Sequence, residues 1–290
     1  MLKRIDDIEI PADNPFANDL LDRKTIAENL ATLLENTTTP YVMSISAPWG
    51  QGKTTFIRMW QQLLENRGFA TAYFDAWSTD YANDPLLAFI GSIEASISAN
   101  DSNATQALNG IKNALKKVIQ ASPKIALNWA RRGGLHYLTD GDSSAKDEID
   151  ALSEIGAELV DKEMAQQLSV RKLLDEFSEK LSELGQTLGE DGKPLVILID
   201  ELDRCRPDYA IELLERIKHL FAVPNLLIVL SVDIENLGES ASQVIGFSTK
   251  NATGYLRRFI DIDYRLPLSL ASRIIDTKLR EADLPEGFYS

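Results

Sequence analysis

One cysteine, Cys205, among 290 residues excludes an internal disulfide and suits a reducing compartment. The two histidines, His136 and His219, stand alone, without the spacing of a metal site or of a base beside a nucleophile. No apolar run approaches the length that spans a bilayer. The N-terminal stretch MLKRIDDIEIPADNPF places acids where a secretory leader carries its apolar core, so a cytoplasmic location is expected. Basic charge is scarce: 30 Lys and Arg face 44 Asp and Glu, for a net charge of −14. That balance argues against a broad nucleic-acid footprint and leaves room only for a local basic groove or an indirect contact. Residues 131–190 hold 7 basic and 14 acidic side chains, whereas residues 250–290 are nearly balanced. Repeats and low-complexity tracts are also missing. What remains, 44% hydrophobic and 26% charged, is an ordinary globular composition, long enough for one large domain or two smaller ones.

Five short apolar runs bounded by turn signals read as buried strands: YVMSIS (41–46), ATAYFDA (70–76), LVILID (195–200), LLIVLSV (226–232) and FIDIDYRL (259–266). Helical patterns at 52–66, 208–221, 234–245 and 268–282 separate or follow them. Alternation of this kind implies a mainly parallel sheet covered on both faces. The rhythm fails between ATAYFDA and LVILID, where helices are expected at 84–98, 104–120 and 147–185, with a polar loop, TDGDSSAKDE, before the last. IQASPKIALNWARRGGL is apolar but broken by Pro123 and Lys124; it reads as a buried insertion helix or as an interfacial one. The long pattern from Ile149 to Leu184 reads as an amphipathic helix or helix pair, a bundle face or a coiled-coil contact. The expected organisation is an N-terminal helix and first half of a core (1–82), a helical insertion (83–190) and a second half of the core (191–290).

Between the first strand and the helix after it lies SAPWGQGKTT. Residues 47–54 fit G-x-x-x-x-G-K-[ST] except that Ala47 replaces the first glycine. Gly50 and Gly52 let successive N–H groups turn toward phosphates, and the following helix adds its N-terminal partial charge. Lys53 is placed for the β- and γ-phosphates and Thr54 for Mg²⁺. Pro48, Trp49, Gly50, Gln51, Gly52, Lys53, Thr54 and Thr55 are the candidate nucleotide-binding residues. Trp49 either packs over the loop or stacks on a base.

LVILIDELDRC ends a hydrophobic strand on Asp200 and Glu201, in the manner of a Walker B motif. Asp200 would orient the metal, together with Thr54, and Glu201 would polarise an attacking water. Arg204 and Arg206 either reach phosphate or a neighbouring subunit, or pair with local acids. Cys205 reads as a small buried residue. Ser231 and Asp233 end the next strand, where a polar group senses a γ-phosphate or simply meets solvent. Arg257 and Arg258, before the last strand, are candidates for completing transition-state charge, in cis or from another protomer; pairing with the acidic insertion is the alternative. Trp77 is expected in the core.

These pieces resemble the KAP family of P-loop NTPases. The resemblance rests on DLLDRKTIAENLATLL, SAPWGQGKTTF, FDAWSTD, LVILIDELDRCRPDYAIELLERIKHLF, LLIVLSVD and YLRRFIDIDYRLP, which run in family order over nearly the whole chain. It implies an α/β three-layer sandwich of the additional-strand, catalytic-Glu type, sheet order 5-1-4-3-2, with a large helical insertion. In many members that insertion carries membrane helices; this chain departs from them in having no span. It also departs in Asp200-Glu201, where two aspartates are frequent, and in Ala47. Family members include bacterial proteins of phage-exclusion and defence operons, so an antiviral setting is implied. The chain stops at LPEGFYS, soon after the last expected helix, as either a core acting with separate partners or a piece of something longer.

The function expected from these residues is Mg²⁺-dependent ATP hydrolysis driving a conformational switch or an assembly. Partners are expected through the insertion, as a homo-oligomer or with other proteins. Two alternatives stand beside it: a nucleotide-gated scaffold that does not hydrolyse, and a small-molecule kinase.

Overall fold

The computed structural model describes residues 8–37, 40–82, 85–96, 102–121, 172–173, 175–218, 222–246 and 248–267. The chain divides into two compact units, Met1–Ser98 with Leu188–Ser290, and Ala99–Thr187.

The first unit is built on five parallel strands: β1 (Val42–Ser46), β2 (Thr71–Asp75), β3 (Leu195–Asp200), β4 (Leu226–Val232) and β5 (Ile262–Arg265). Their spatial order is β5-β1-β4-β3-β2, the 5-1-4-3-2 arrangement. LVILID therefore lies one strand removed from β1, with β4 between them. β1, β3 and β4 are buried at every position, which is why they read as continuous apolar runs. The edge strands alternate, β2 between partly and fully buried positions and β5 between partly buried and exposed ones. The register sets Ser46 beside Val232 and Arg265, and Asp200 beside Asp75 and Ser231, so the C-terminal strand ends share one rim. In an open parallel sheet that rim is where ligands bind.

Two helices cover one face, α1 (Lys24–Glu35) and α2 (Lys53–Asn66). Ala27, Leu30 and Leu34 of α1 and Phe56, Met59, Trp60 and Leu64 of α2 share a core with Met43, Ile45, Leu198 and Val229 of the sheet. Stacked rings of Phe56 and Trp60, 6.2 Å between centroids, fill its centre.

On the other face β2 meets α3 (Pro85–Ser96), where Phe89 sets its ring edge-on to Phe74 at 5.5 Å. α3 thus packs on β2 and falls in the first compact unit, whereas the second unit begins at Ala99. Its apolar sequence, PLLAFIGSIEAS, is equally compatible with either place. In the second unit, α4 (Ser102–Ala121) and α5 (helical over 175–188) are joined by Lys117 and Glu176 at 2.6 Å. Most of the expected 147–185 helix, TDGDSSAKDE, IQASPKIALNWARRGGL beyond Ala121, both histidines and the 268–282 helix lie outside the described residues.

After β3 come α6 (Pro207–Ile217), then β4, α7 (Ile234–Ile245) and α8 (Thr249–Leu256). The 208–221 pattern is thus helical as far as Ile217. α8, TKNATGYL, is short and polar, and no periodicity marks it; it exists through packing on α7. A Cβ added at Gly238 would stand 2.2 Å from Thr253 Oγ1 and 3.3 Å from Thr253 Cα, so the two helices touch there. Gly238→Ala is expected to cost roughly 1–3 kcal/mol by overpacking, read as a lowered thermal midpoint. Thr253→Ala in the same chain should return much of it.

Among the described residues, no helix is long and apolar enough to cross a membrane.

Candidate phosphate-binding site

β1 delivers the chain to the rim at Ser46, and the loop 47–52 turns it into α2. Gly50 and Gly52 hold φ of 76° and 73°, the left-handed region that a Cβ disfavours. Ala47 is buried and lacks a positive φ, so the motif's first position does not require glycine here. The Lys53 ammonium donates to the Ala47 carbonyl at 2.7 Å and is 9% exposed. Pro48 is exposed, and Thr55 is half-buried.

The strand tip of β3 closes on this loop. Thr54 Oγ1 donates to Glu201 Oε1 at 2.7 Å, across 147 residues of sequence. The other Glu201 oxygen is bonded by Arg204 Nε. Glu201 itself sits at φ 59°, a strained position for a side chain of its size, stabilised by its N–H on Asp200 Oδ1 at 3.0 Å. Burial raises the Glu201 pKa above the usual carboxylate range; the Thr54 hydroxyl opposes this, the Asp200 charge adds to it, Arg204 opposes it and Asp203 adds to it.

Asp200 is fully buried, and its Oδ2 accepts the Tyr73 hydroxyl at 2.9 Å. The Tyr73 ring carries the Arg58 guanidinium 3.3 Å from its centroid, and burial with the Asp200 charge keeps the phenol protonated. Thr54 is thus hydrogen-bonded to Glu201, and Asp200 to Tyr73. Tyr73 was invisible as a site residue, because only β2–β3 pairing brings it to Asp200.

Asp203 is the largest addition to the sequence-based set. Its Oδ2 accepts Trp49 Nε1 at 2.7 Å and the Asp233 N–H at 3.0 Å, and lies 3.8 Å from Lys53 Nζ. Its Oδ1 is buried with no hydrogen-bond partner, as is Ser231 Oγ. The D-x-x-D spacing after β3 was its one trace in the sequence. Trp49 is 54% exposed, so its indole is bonded at one end and open at the other.

The remaining candidate side chains have the following partners in this structure. Arg206 donates to the Asp80 carbonyl at 2.9 Å and lies 3.6 Å from Asp208, a local pairing. Arg204 pairs with Glu201 and lies 5.7 Å from the Trp77 ring centroid. Trp77 is 53% exposed, which corrects its placement in the core. Asp233 caps α7 through the N–H groups of Glu235 and Asn236, and Asp75 accepts the Ser78 N–H. Arg257 lies 3.8 Å from Glu235, which Arg265 also approaches at 3.7 Å, and Arg258 is exposed near Tyr255. Neither Arg257 nor Arg258 is bonded to the loop. Burial, with the charges of Asp80, Asp75, Asp203 and Glu201, pushes the Cys205 thiol up to about 12, as befits an inert buried residue.

Residues 23–285 match the KAP family P-loop domain. This chain belongs to the KAP family. The match covers most of the chain, including both the loop and the β3 carboxylates. An uncharacterised protein of Methanocaldococcus jannaschii, MJ0182, is 26% identical over 171 residues, 55% of this chain and 88% of that protein. Among solved structures, the Walker-type ATPase PABY2304 of Pyrococcus abyssi aligns over 93% of this chain and 61% of its own (17% identity, TM-score 0.42). The ORC2 protein of Aeropyrum pernix, solved as ADPNP–ADP complexes, aligns over 98% and 57% (13% identity, TM-score 0.42). The chain thus spans about three-fifths of the length of these two solved chains. As a KAP-family P-loop domain, it is a nucleotide-binding NTPase module by family.

Proposed function

We propose that this KAP-family domain hydrolyses ATP in the presence of Mg²⁺ and uses the cycle as a conformational switch. The observation that carries the proposal is the 2.7 Å bond between Thr54 and Glu201, which joins the phosphate loop to the strand-tip carboxylates. The residues fit a polyphosphate with its cation: two glycines in left-handed conformation, no atom within 4 Å of a Cβ at Gly50, and buried unpaired oxygens on Asp203 and Ser231. Thr54 and Asp200 would hold Mg²⁺, which supplies charge neutralisation on the phosphate oxygens.

Each remaining step belongs to the chain's own groups. Loop N–H groups and the N-terminus of α2 bind phosphate oxygens. Lys53 transfers its proton donors from the Ala47 carbonyl to phosphate. Glu201, once its oxygens are released by Thr54 and Arg204, accepts the proton of the attacking water. Arg204 is then free to move, and with it the turn 202–204. Arg257 and Arg258 are assigned to transition-state charge from outside the loop, after leaving Glu235 and the Tyr255 neighbourhood.

A second reading is favoured by the same bond. Glu201, rather than Asp200, then acts as the carboxylate that orients Mg²⁺ through Thr54, and Asp200 positions the Glu201 peptide. The test is inorganic phosphate release from ATP by the purified chain, with and without Mg²⁺, beside Lys53→Ala. Release that needs Mg²⁺ and is lost with Lys53 supports the proposal. Tight nucleotide binding without release identifies a scaffold instead, and transfer to a metabolite without free phosphate identifies a kinase.

A further inference from the structure

Arg23 lies outside the phosphate loop, 28 residues before Gln51, yet its side chain ends against that loop. It is 3% exposed. Nη1 donates to the Gln51 carbonyl at 2.8 Å and approaches the Gly52 carbonyl at 3.4 Å, and Nη2 donates to the Pro267 carbonyl at 3.2 Å. The turn that delivers it is specified locally: the Asp19 carboxylate accepts the N–H groups of Leu21 and Arg23, and Asp22 adopts φ 55°. Arg23 then occupies the N-cap position of α1 and points inward.

Its side-chain partners are peptide carbonyls rather than a carboxylate. Burial lowers the guanidinium pKa, partly offset by Asp19 and Tyr264, but an arginine stays charged near neutral pH. A buried cation of this kind is costly and gains from an anion placed nearby. The peptide geometry says where. In a trans peptide the carbonyl and the following N–H point in opposite directions. Anchoring the Gln51 and Gly52 carbonyls on Arg23 therefore aims the N–H groups of Gly52 and Lys53 away from it, toward the concave side of the loop. Contact is close: a Cβ at Gly52 would stand 3.3 Å from Leu21 Cδ1 and 3.6 Å from Arg23 Nη1.

We infer that Arg23 is a positioning residue of the phosphate site, a buried cation behind the loop that fixes its anion-binding face and ties it to the chain leaving β5 at Pro267. The inference rests on the phosphate-binding reading above.

The experiment is isothermal titration of the full chain with MgATP, for wild type, Arg23→Met and Arg23→Lys, alongside thermal midpoints without nucleotide. Arg23→Met is expected to weaken MgATP roughly tenfold or more, since charge-assisted bonds to the loop are lost. Arg23→Lys keeps the charge but not the fork, so it is expected to recover part of that loss. MgADP should lose less than MgATP, because the charge acts on the phosphates. A staple that merely stabilises the fold would lower the midpoints and leave both affinities at wild-type values, which overturns the inference. If Arg23→Met fails to fold, Arg23→Lys decides: wild-type affinity there overturns it, several-fold weakening sustains it. A wild-type chain that binds neither MgATP nor MgGTP takes down the phosphate-site reading itself, a result distinct from the other outcomes.

Discussion

Glu201→Gln is expected to lower phosphate release by roughly 10²–10⁴-fold while MgATP still binds, the range expected when a positioned general base is removed. The substitution is close to isosteric, and the amide oxygen can still accept the Thr54 hydroxyl. What disappears is the group that takes a proton from water. The pH profile gives an independent check. A base works only when ionised, and burial raises the Glu201 pKa. The rate should therefore fall as pH drops through a value above the usual carboxylate range, and Glu201→Gln should lack that limb. Under the second reading, the same variant instead raises the Mg²⁺ concentration needed for half-maximal binding. Steady-state phosphate release across pH and Mg²⁺ separates the two.

Asp203→Ala is expected to lower stability by about 3 kcal/mol or more, the scale of breaking one side of a buried ion pair. The pair is enclosed: Lys53 is 9% and Asp203 1% exposed at the side chain, 3.8 Å apart. The variant also removes the acceptor for Trp49 Nε1 and for the Asp233 N–H. At roughly 2–4 °C per kcal/mol for a chain of this size class, the thermal midpoint should fall by about 10 °C. Asp203→Asn keeps an acceptor for Trp49 and removes only the charge, so its loss should be smaller. Because Trp49 is half-exposed at the loop, its emission should shift in Asp203→Ala and much less in Asp203→Asn. An unchanged midpoint in both would mean that Lys53 is held by the Ala47 carbonyl alone.

The sheet was legible because β3 and β4 are buried on both faces and bounded by turn signals, so LVILID and LLIVLSV match their strands end to end. The loop was legible because its chemistry is local: two glycines, a lysine and a threonine in eight residues. Glu201 could be paired with it because a strand tip has a defined place in an open parallel sheet. Arg23, Tyr73 and Asp203 escaped notice for one reason: their partners lie 28, 127 and 154 residues away, and only the folded sheet brings them together. Likewise α8 has too few turns to stand without α7, so propensity alone leaves no trace of it. The place of α3 was not legible, because its sequence is apolar on most sides, and burial against β2 or within a bundle would select the same residues.

A single-turnover reaction tests the central assignment most directly: excess chain mixed with ATP and Mg²⁺, quenched over time, with bound nucleotide separated from phosphate. Wild type is expected to convert bound ATP to ADP and phosphate, and Glu201→Gln to retain ATP over the same period. Equal conversion by both would contradict the role of Glu201, and retention of intact ATP by both would contradict hydrolysis itself.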